Sequence, residues 1–199
     1  MRSAFLPKEA AQLLARMPAR WWVAGGWAID LWLGRQTRDH EDLDIAILRS
    51  EQLVVRAHLQ GWDLRLAHDS VLTRWPPPNR VDPPFHAVWC RRRTADPWAF
   101  ELLMNDTAGR DWLFRRDHGV RRPLAGLGHV NHNGIPFMCP EIVLLFKAKN
   151  HREHDEADFA STLPTLDLKQ RRWLSDAMLR IHPGHEWIEY LNDTKTREF

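Results

Sequence analysis

Residues 24–48 read AGGWAIDLWLGRQTRDHEDLDIAIL, and their order decides the fold. Residues 21–24 form a short apolar stretch suited to a strand, and Gly25-Gly26 closes it. Residues 27–33 are apolar almost throughout, as expected of a helix packed inside a fold, and Gly34 is placed to stop it. A polar link then leads into a second strand, residues 43–48. In a strand, side chains two apart share a face, so Asp42 and Asp44 project together while Leu43, Ile45 and Ile47 turn into the core. Two adjacent carboxylates resist joint ionisation unless a cation neutralises them. Mg²⁺ takes oxygen ligands of this kind, usually one or two carboxylates plus substrate phosphates. The bland alternative is a pair of solvated acids at a strand mouth. Against it stand the two glycines, where free N–H groups and the positive end of the following helix favour phosphate.

Working outward, the chain has 199 residues, 44% hydrophobic and 27% charged, enough to bury one core or a core with an appendage. A net charge of +2 argues against a nucleic-acid coat and leaves room for a local phosphate site. Cys90 and Cys139 match no zinc spacing, and a reducing, cytoplasmic compartment is expected. No stretch reaches the ~18 apolar residues of a membrane span, and Lys8 and Glu9 break any signal-peptide pattern. Eleven tryptophans against one tyrosine suggest indoles in the core or lining a cleft.

A helix is expected over residues 7–17, and Ser50 is placed to cap another that ends near Gly61. Between 62 and 138 the pattern turns to short strands: 63–67, 85–90, 98–104 and 112–116. Residues 75–84, WPPPNRVDPP, form an irregular loop. Asn133-Gly134 signals a tight hairpin turn. Helices suit 141–150, 156–163, 168–181 and 186–192. The expected class is α+β, a small mixed sheet flanked by helices over 1–138, with a helical subdomain over 139–199.

The run GGWAIDLWLGRQTRDHEDLDI resembles the signature of polymerase-β-type nucleotidyltransferases, and within them the aminoglycoside 2″-adenylyltransferase-like branch. The order GGWAxD, LG, TRxHxD and the D-x-D strand carries this resemblance. It implies transfer of a nucleoside monophosphate from a triphosphate to a hydroxyl, with release of pyrophosphate. It also implies a third acid on a neighbouring strand. Glu101, within WAFELLM, is a lone acid in an apolar run, which is expensive to bury unless paired or ligating. It would complete a metal cluster with Asp42 and Asp44 and take the proton of the attacking hydroxyl. A salt bridge to the Arg91–Arg93 run is its alternative role, and Asp106 is the substitute third acid. By the same resemblance, Gly25, Gly26, Arg38, His40 and Lys147 bind nucleotide. Arg38 instead could pair with Asp30 or Asp39, His40 could simply fix its loop, and Lys147 could be a surface lysine. Asp30 reads as structural. Asp155 and Asp158 look like helix-start acids, Arg121 and Arg122 like surface charge. Arg115 and Arg116, ending a strand, should point to opposite faces, one of them into the cleft. His151 and His154 fit no zinc motif.

The resulting expectation is a cytoplasmic, Mg²⁺-dependent nucleotidyltransferase with ATP, or another nucleoside triphosphate, as donor. Asp42, Asp44 and Glu101 would hold two ions about 3.5–4 Å apart. The resemblance implies a small-molecule acceptor that bears a hydroxyl and is aminoglycoside-like. Two readings of other classes stand beside it: a non-catalytic nucleotide-binding or toxin–antitoxin partner, and an RNA-binding module, which the near-neutral charge does not favour. The sequence does not give the oligomeric state.

Overall fold

The computed structural model describes residues 5–149 and 151–193. In chain order the helices are α1 (Pro7–Leu14), α2 (Gly25–Leu33), α3 (Gln52–His58), α4 (Pro140–Lys147), α5 (Glu153–Thr162), α6 (Leu168–Ile181) and α7 (Trp187–Asn192). The strands are β1 (Trp21–Val23), β2 (Asp44–Leu48), β3 (Asp63–His68), β4 (Val71–Arg74), β5 (Ala87–Arg91), β6 (Phe100–Ala108), β7 (Asp111–Leu113), β8 (Arg121–Pro123), β9 (Gly128–Val130) and β10 (Pro136–Met138).

They form one mixed sheet in the order β4-β3-β5-β6-β2-β1-β10-β9, with β7 continuing from β6 and pairing β8. β2 is central: it runs antiparallel to β1 and parallel to β6. Its residues Ile45, Ala46, Ile47 and Leu48 are all fully buried, as a strand covered on both faces requires. α2 is apolar enough to lie beneath the sheet, and Gly34, at φ 70°, ends it by returning its N–H to the Asp30 carbonyl. The Asn133-Gly134 turn joins β9 to β10 as expected, with Val130 opposite Pro136. The Asn131 carboxamide accepts from Asn133 N and Ile135 N, both at 3.0 Å, and so closes the turn.

Several local expectations need correction. Ser50 caps nothing: a 3₁₀ turn, Arg49–Glu51, precedes α3, which ends at His58. The strand expected over 112–116 stops at Leu113, because the chain turns at residues 115–116. β4 and β8 were not anticipated; both carry mostly exposed polar or mixed residues, so no alternation betrays them. The proline-rich loop is anchored from two sides. Trp75 is buried and donates to the Asn79 carbonyl at 2.8 Å, while Arg49 reaches the Val81 and Phe85 carbonyls at 3.1 and 2.8 Å.

After β10 the described residues are helical. α4 packs on α6, α6 on α7, and both α4 and α5 contact α2. A parallel stack of Phe159 on Trp187, with centroids 4.2 Å apart, welds α5 to α7. This placement brings the helices beside the glycine-led end of α2. Among the described residues no helix is long and apolar enough to cross a membrane.

Candidate functional site

A cleft of about 570 Å³ opens where β2 and β6 meet the start of α2 and the end of α4. Its floor follows the strand period. Asp42, Asp44 and Ala46 line it from the β2 segment, and Glu101, Leu103 and Asn105 line it from β6. The parallel register sets Asp44 directly opposite Glu101. Small Ala46 and Ala87 leave space above the sheet, and Leu103, Met104, Met138, Val143 and Phe146 supply apolar walls.

The carboxyl of Asp44 feels this crowding. Desolvation by burial, then the charges of Glu101 and Asp42, push its pKa from 3.8 up to about 8, against the opposing pull of Lys147 and Arg152. Glu101 is oriented by the Trp89 indole, which donates to Oε1 at 3.1 Å from the neighbouring strand. The Arg91–Arg93 run does not hold Glu101 in an ion pair. Arg91 pairs with Asp63, Arg93 with Asp96, and Arg92 lies over the Trp62 and Phe5 rings. Asp106 does not face the cleft and is clasped by the buried Arg49. Arg49 also donates to His86 Nδ1 at 2.9 Å. Sequence reasoning passed over Arg49, though a lone arginine following DIAIL was a usable signal, because burying it demands partners.

The two glycines have a steric purpose that spacing alone does not reveal. Gly25 opens α2 at φ +59°, and a Cβ there would overlap the Asp44 carboxylate. A Cβ on Gly26 would overlap the side chains of Arg38 and His40. The first glycine therefore lets the acid sit against the helix start, and the second lets the TRxHxD loop fold over it. The Ala24 N–H, bonded to the Asp44 carbonyl at 2.8 Å, completes the close approach.

Gly25 and Lys147 line the cleft, whereas Gly26, Arg38 and His40 do not. Buried Asp30 organises that loop: it accepts from Thr37 N at 3.0 Å, from the Thr37 hydroxyl, and bonds to His40 Nε2. The His40 ring lies 4.4 Å from Trp27, centroid to centroid. Arg38 pairs with neither Asp30 nor Asp39 side chains. It grips Asp158 through Nε at 3.2 Å and Nη2 at 3.1 Å, and donates to the Asp39 carbonyl.

Asp158 and Asp155 are thus not exposed helix-start charges; they are 1% and 3% exposed. Lys147 bonds both, Asp155 at 2.5 Å and Asp158 at 2.9 Å. For Asp155, burial alone would raise the pKa, but the bonds from Lys147 and the Arg152 main chain hold it below the usual range. The chain Arg38–Asp158–Lys147–Asp155–Arg152 clamps the loop before β2 to α4 and α5.

Arg115 and Arg116 both line the cleft, contrary to the expectation that they diverge. Strand alternation does not govern them because they lie in the turn after β7. Arg122 is also not surface charge: it pairs with buried Glu141 at 2.7 Å and lies over Trp173. In the helical part His151, Glu156 and Glu186 converge with ligand atoms within 4.8 Å, a grouping across 35 residues that no local motif announces. His151 forms ion pairs there with Glu156 at 2.7 Å and Glu186 at 3.4 Å.

With this geometry in view, residues 8–76 match the family model described as aminoglycoside-2″-adenylyltransferase. Two solved structures share the architecture. One is ANT(2″)-Ia in complex with adenylyl-2″-tobramycin, 16% identical over 92% of this chain and 91% of that one, with a TM-score of 0.50. The other is the lincosamide antibiotic adenylyltransferase LnuA, lincomycin-bound, 19% identical over 79% of this chain and 96% of that one, with a TM-score of 0.54. Identities at this level show a common fold, and the α+β nucleotidyltransferase fold is the fold of this chain. No curated protein matches it in sequence.

Proposed function

We propose that this chain, with an aminoglycoside-2″-adenylyltransferase signature over residues 8–76 and the fold of two antibiotic adenylyltransferases, moves AMP from ATP to the hydroxyl of a small acceptor and releases pyrophosphate. The observation that carries the reading is the register pairing of Asp44 with Glu101, with Asp42 on the same cleft floor beside the start of α2. Both structural neighbours are named with hydroxyl-bearing antibiotics, tobramycin and lincomycin, which supports a small-molecule acceptor.

The donor set suits a hard divalent cation. Three carboxylates gathered on one cleft floor, one of them desolvated with its pKa raised to about 8, call for a compensating positive charge. Asp42, Asp44 and Glu101 would hold Mg²⁺, two ions by our reading. When bound, such ions supply charge neutralisation at the phosphates and a more acidic acceptor hydroxyl.

The remaining roles fall to the chain's own groups. The N-terminal amides of α2 seat the triphosphate, and Gly25, by admitting the Asp44 carboxylate against the helix start, sets the acid beside that seat. Lys147 faces the same phosphates from the last turn of α4, its ammonium held in place by Asp155 and Asp158. Arg38 and His40 act one step removed, keeping the TRxHxD loop closed over Gly26. Glu101, fixed by Trp89, takes the proton of the attacking hydroxyl. The apolar wall formed by Leu103, Met138 and Phe146 limits water at the reacting phosphorus. The division at residue 138 is part of the same proposal, with the nucleotide gripped between the sheet and α4.

The test is titration calorimetry with α,β-methylene-ATP. Binding should require Mg²⁺ and fall at least a hundredfold in Asp42→Asn and Asp44→Asn. Equal binding in EDTA, or in both variants, would remove the basis for the assignment.

A further inference from the structure

A polycationic acceptor needs carboxylates to meet it, and the structure shows where this chain's spare acids go. Glu141 is 1% exposed, paired with Arg122 and bonded to Gln170 at 3.1 Å. Asp158 is consumed by Arg38 and Lys147. Beyond the three acids of the catalytic set, the cleft is lined by one further carboxylate, Asp155, already shared between Lys147 and Arg152. Five arginine and lysine side chains line the same cleft. A nucleoside triphosphate bound with two divalent cations adds no net charge, so in the loaded cleft five basic side chains still face four carboxylates.

That surplus is concentrated at one place. Among the described residues no ion pair engages Arg115 or Arg116. Arg115 lies 5.8 Å from the Phe146 ring centroid, and Arg116 donates to the Phe146 carbonyl at 3.1 Å. Burial lowers the pKa of both, for Arg115 against the pull of Glu101 and Asp106, and to about 10 for Arg116, which faces no such acid and feels the Arg115 charge as well. Two guanidiniums that desolvate and repel each other are costly unless an anion joins them. His86, also on the cleft wall, extends the donor set. Its Nδ1 receives a hydrogen bond from Arg49, which can only donate, so the proton of the neutral ring resides on Nε2. Burial and the charges of Arg115 and Arg49 keep this ring neutral by lowering its pKa.

Gly25 enters the cleft at the start of α2, after β1, whereas Arg115 and Arg116 enter it from the turn after β7 and meet α4 at Phe146. We propose that Arg115, Arg116 and His86 form an anion-recognising acceptor subsite, so that the acceptor carries a carboxylate or phosphate near its reactive hydroxyl and is not a polycationic aminoglycoside. This inference rests on the adenylyl-transfer reading above and narrows its substrate class.

The experiment uses the full chain saturated with Mg²⁺ and α,β-methylene-ATP, with inorganic phosphate and tobramycin as separate calorimetric probes. Phosphate should bind the loaded protein. Arg115→Gln or Arg116→Gln should weaken it about ten- to hundredfold, the range for losing a charge-assisted hydrogen bond. Arg115→Lys should retain most of the binding, which separates loss of charge from loss of fold, and tobramycin should not displace phosphate. The inference is overturned if the glutamine variants lose affinity for the nucleotide analogue by a similar factor, since the arginines would then grip the donor. It is also overturned if phosphate fails to bind or binds all variants alike, or if tobramycin binds the loaded protein more tightly than phosphate. Failure of the analogue itself to bind appears in the first titration and removes the underlying reading instead.

Discussion

The raised pKa of Asp44 makes a stability prediction that needs no substrate. A carboxyl with a folded-state pKa of about 8 keeps a proton that the unfolded chain releases near 3.8. The folded state therefore binds more protons than the unfolded state throughout that window, and stability falls as pH rises from about 4 to 8. At about 1.4 kcal/mol per pH unit, the ceiling across the window is roughly 5 kcal/mol. Side-chain rotation and water entering the cleft reduce the expected loss to about 2–3 kcal/mol, still a large share of an ordinary domain's stability. Asp44→Asn removes the titration while keeping the shape. The variant should match the wild type at pH 4 and exceed it by about 2–3 kcal/mol at pH 8. Urea denaturation followed by tryptophan fluorescence, in EDTA at each pH, measures this, with equal m-values as the control. His86, His154, His182 and His185 have lowered pKa values and contribute the opposite slope below 6.5, so the informative quantity is the difference between the two proteins. Mg²⁺ with the nucleotide analogue should flatten the wild-type profile and leave the variant unchanged. Parallel profiles for the two proteins between pH 4 and 8 would refute the reasoning.

Two further substitutions probe the scaffold. Gly25→Ala places a side chain at φ +59° and against the Asp44 carboxylate, so it should cost about 1–3 kcal/mol of stability and weaken analogue binding more than tenfold; unchanged affinity by calorimetry would contradict the steric role of this glycine. Lys147→Ala leaves Asp155 and Asp158 buried with fewer cations and should destabilise the chain by about 3–5 kcal/mol, read from the urea midpoint; a loss below 1 kcal/mol would show that the ion-pair chain is not a clamp.

Much of the fold was legible locally. The strand–glycine–helix–strand order of residues 24–48 follows from apolar runs, two glycines and a stop signal, each acting over a few residues. The shared cleft face of Asp42 and Asp44 follows from the two-residue period of a strand. The β9–β10 hairpin was legible from Asn133-Gly134, and the helix expected over 168–181 is α6, closed at its start by a capping box of Asp167 and Gln170. Misses fell where periodicity carries no signal, as in short exposed β4 and in the turn that sends Arg115 and Arg116 into the same cleft.

The sequence by itself determined the local backbone and the shared face of the paired acids, because torsional preference and side-chain alternation depend on near neighbours. Only the tertiary structure decided which charge meets which: Glu101 opposite Asp44 across 57 residues, Arg38 on Asp158 across 120, and Lys147 between two buried acids. The physical reason is that an ion pair depends on separation and on the water excluded around it, and both are set by packing rather than by position along the chain.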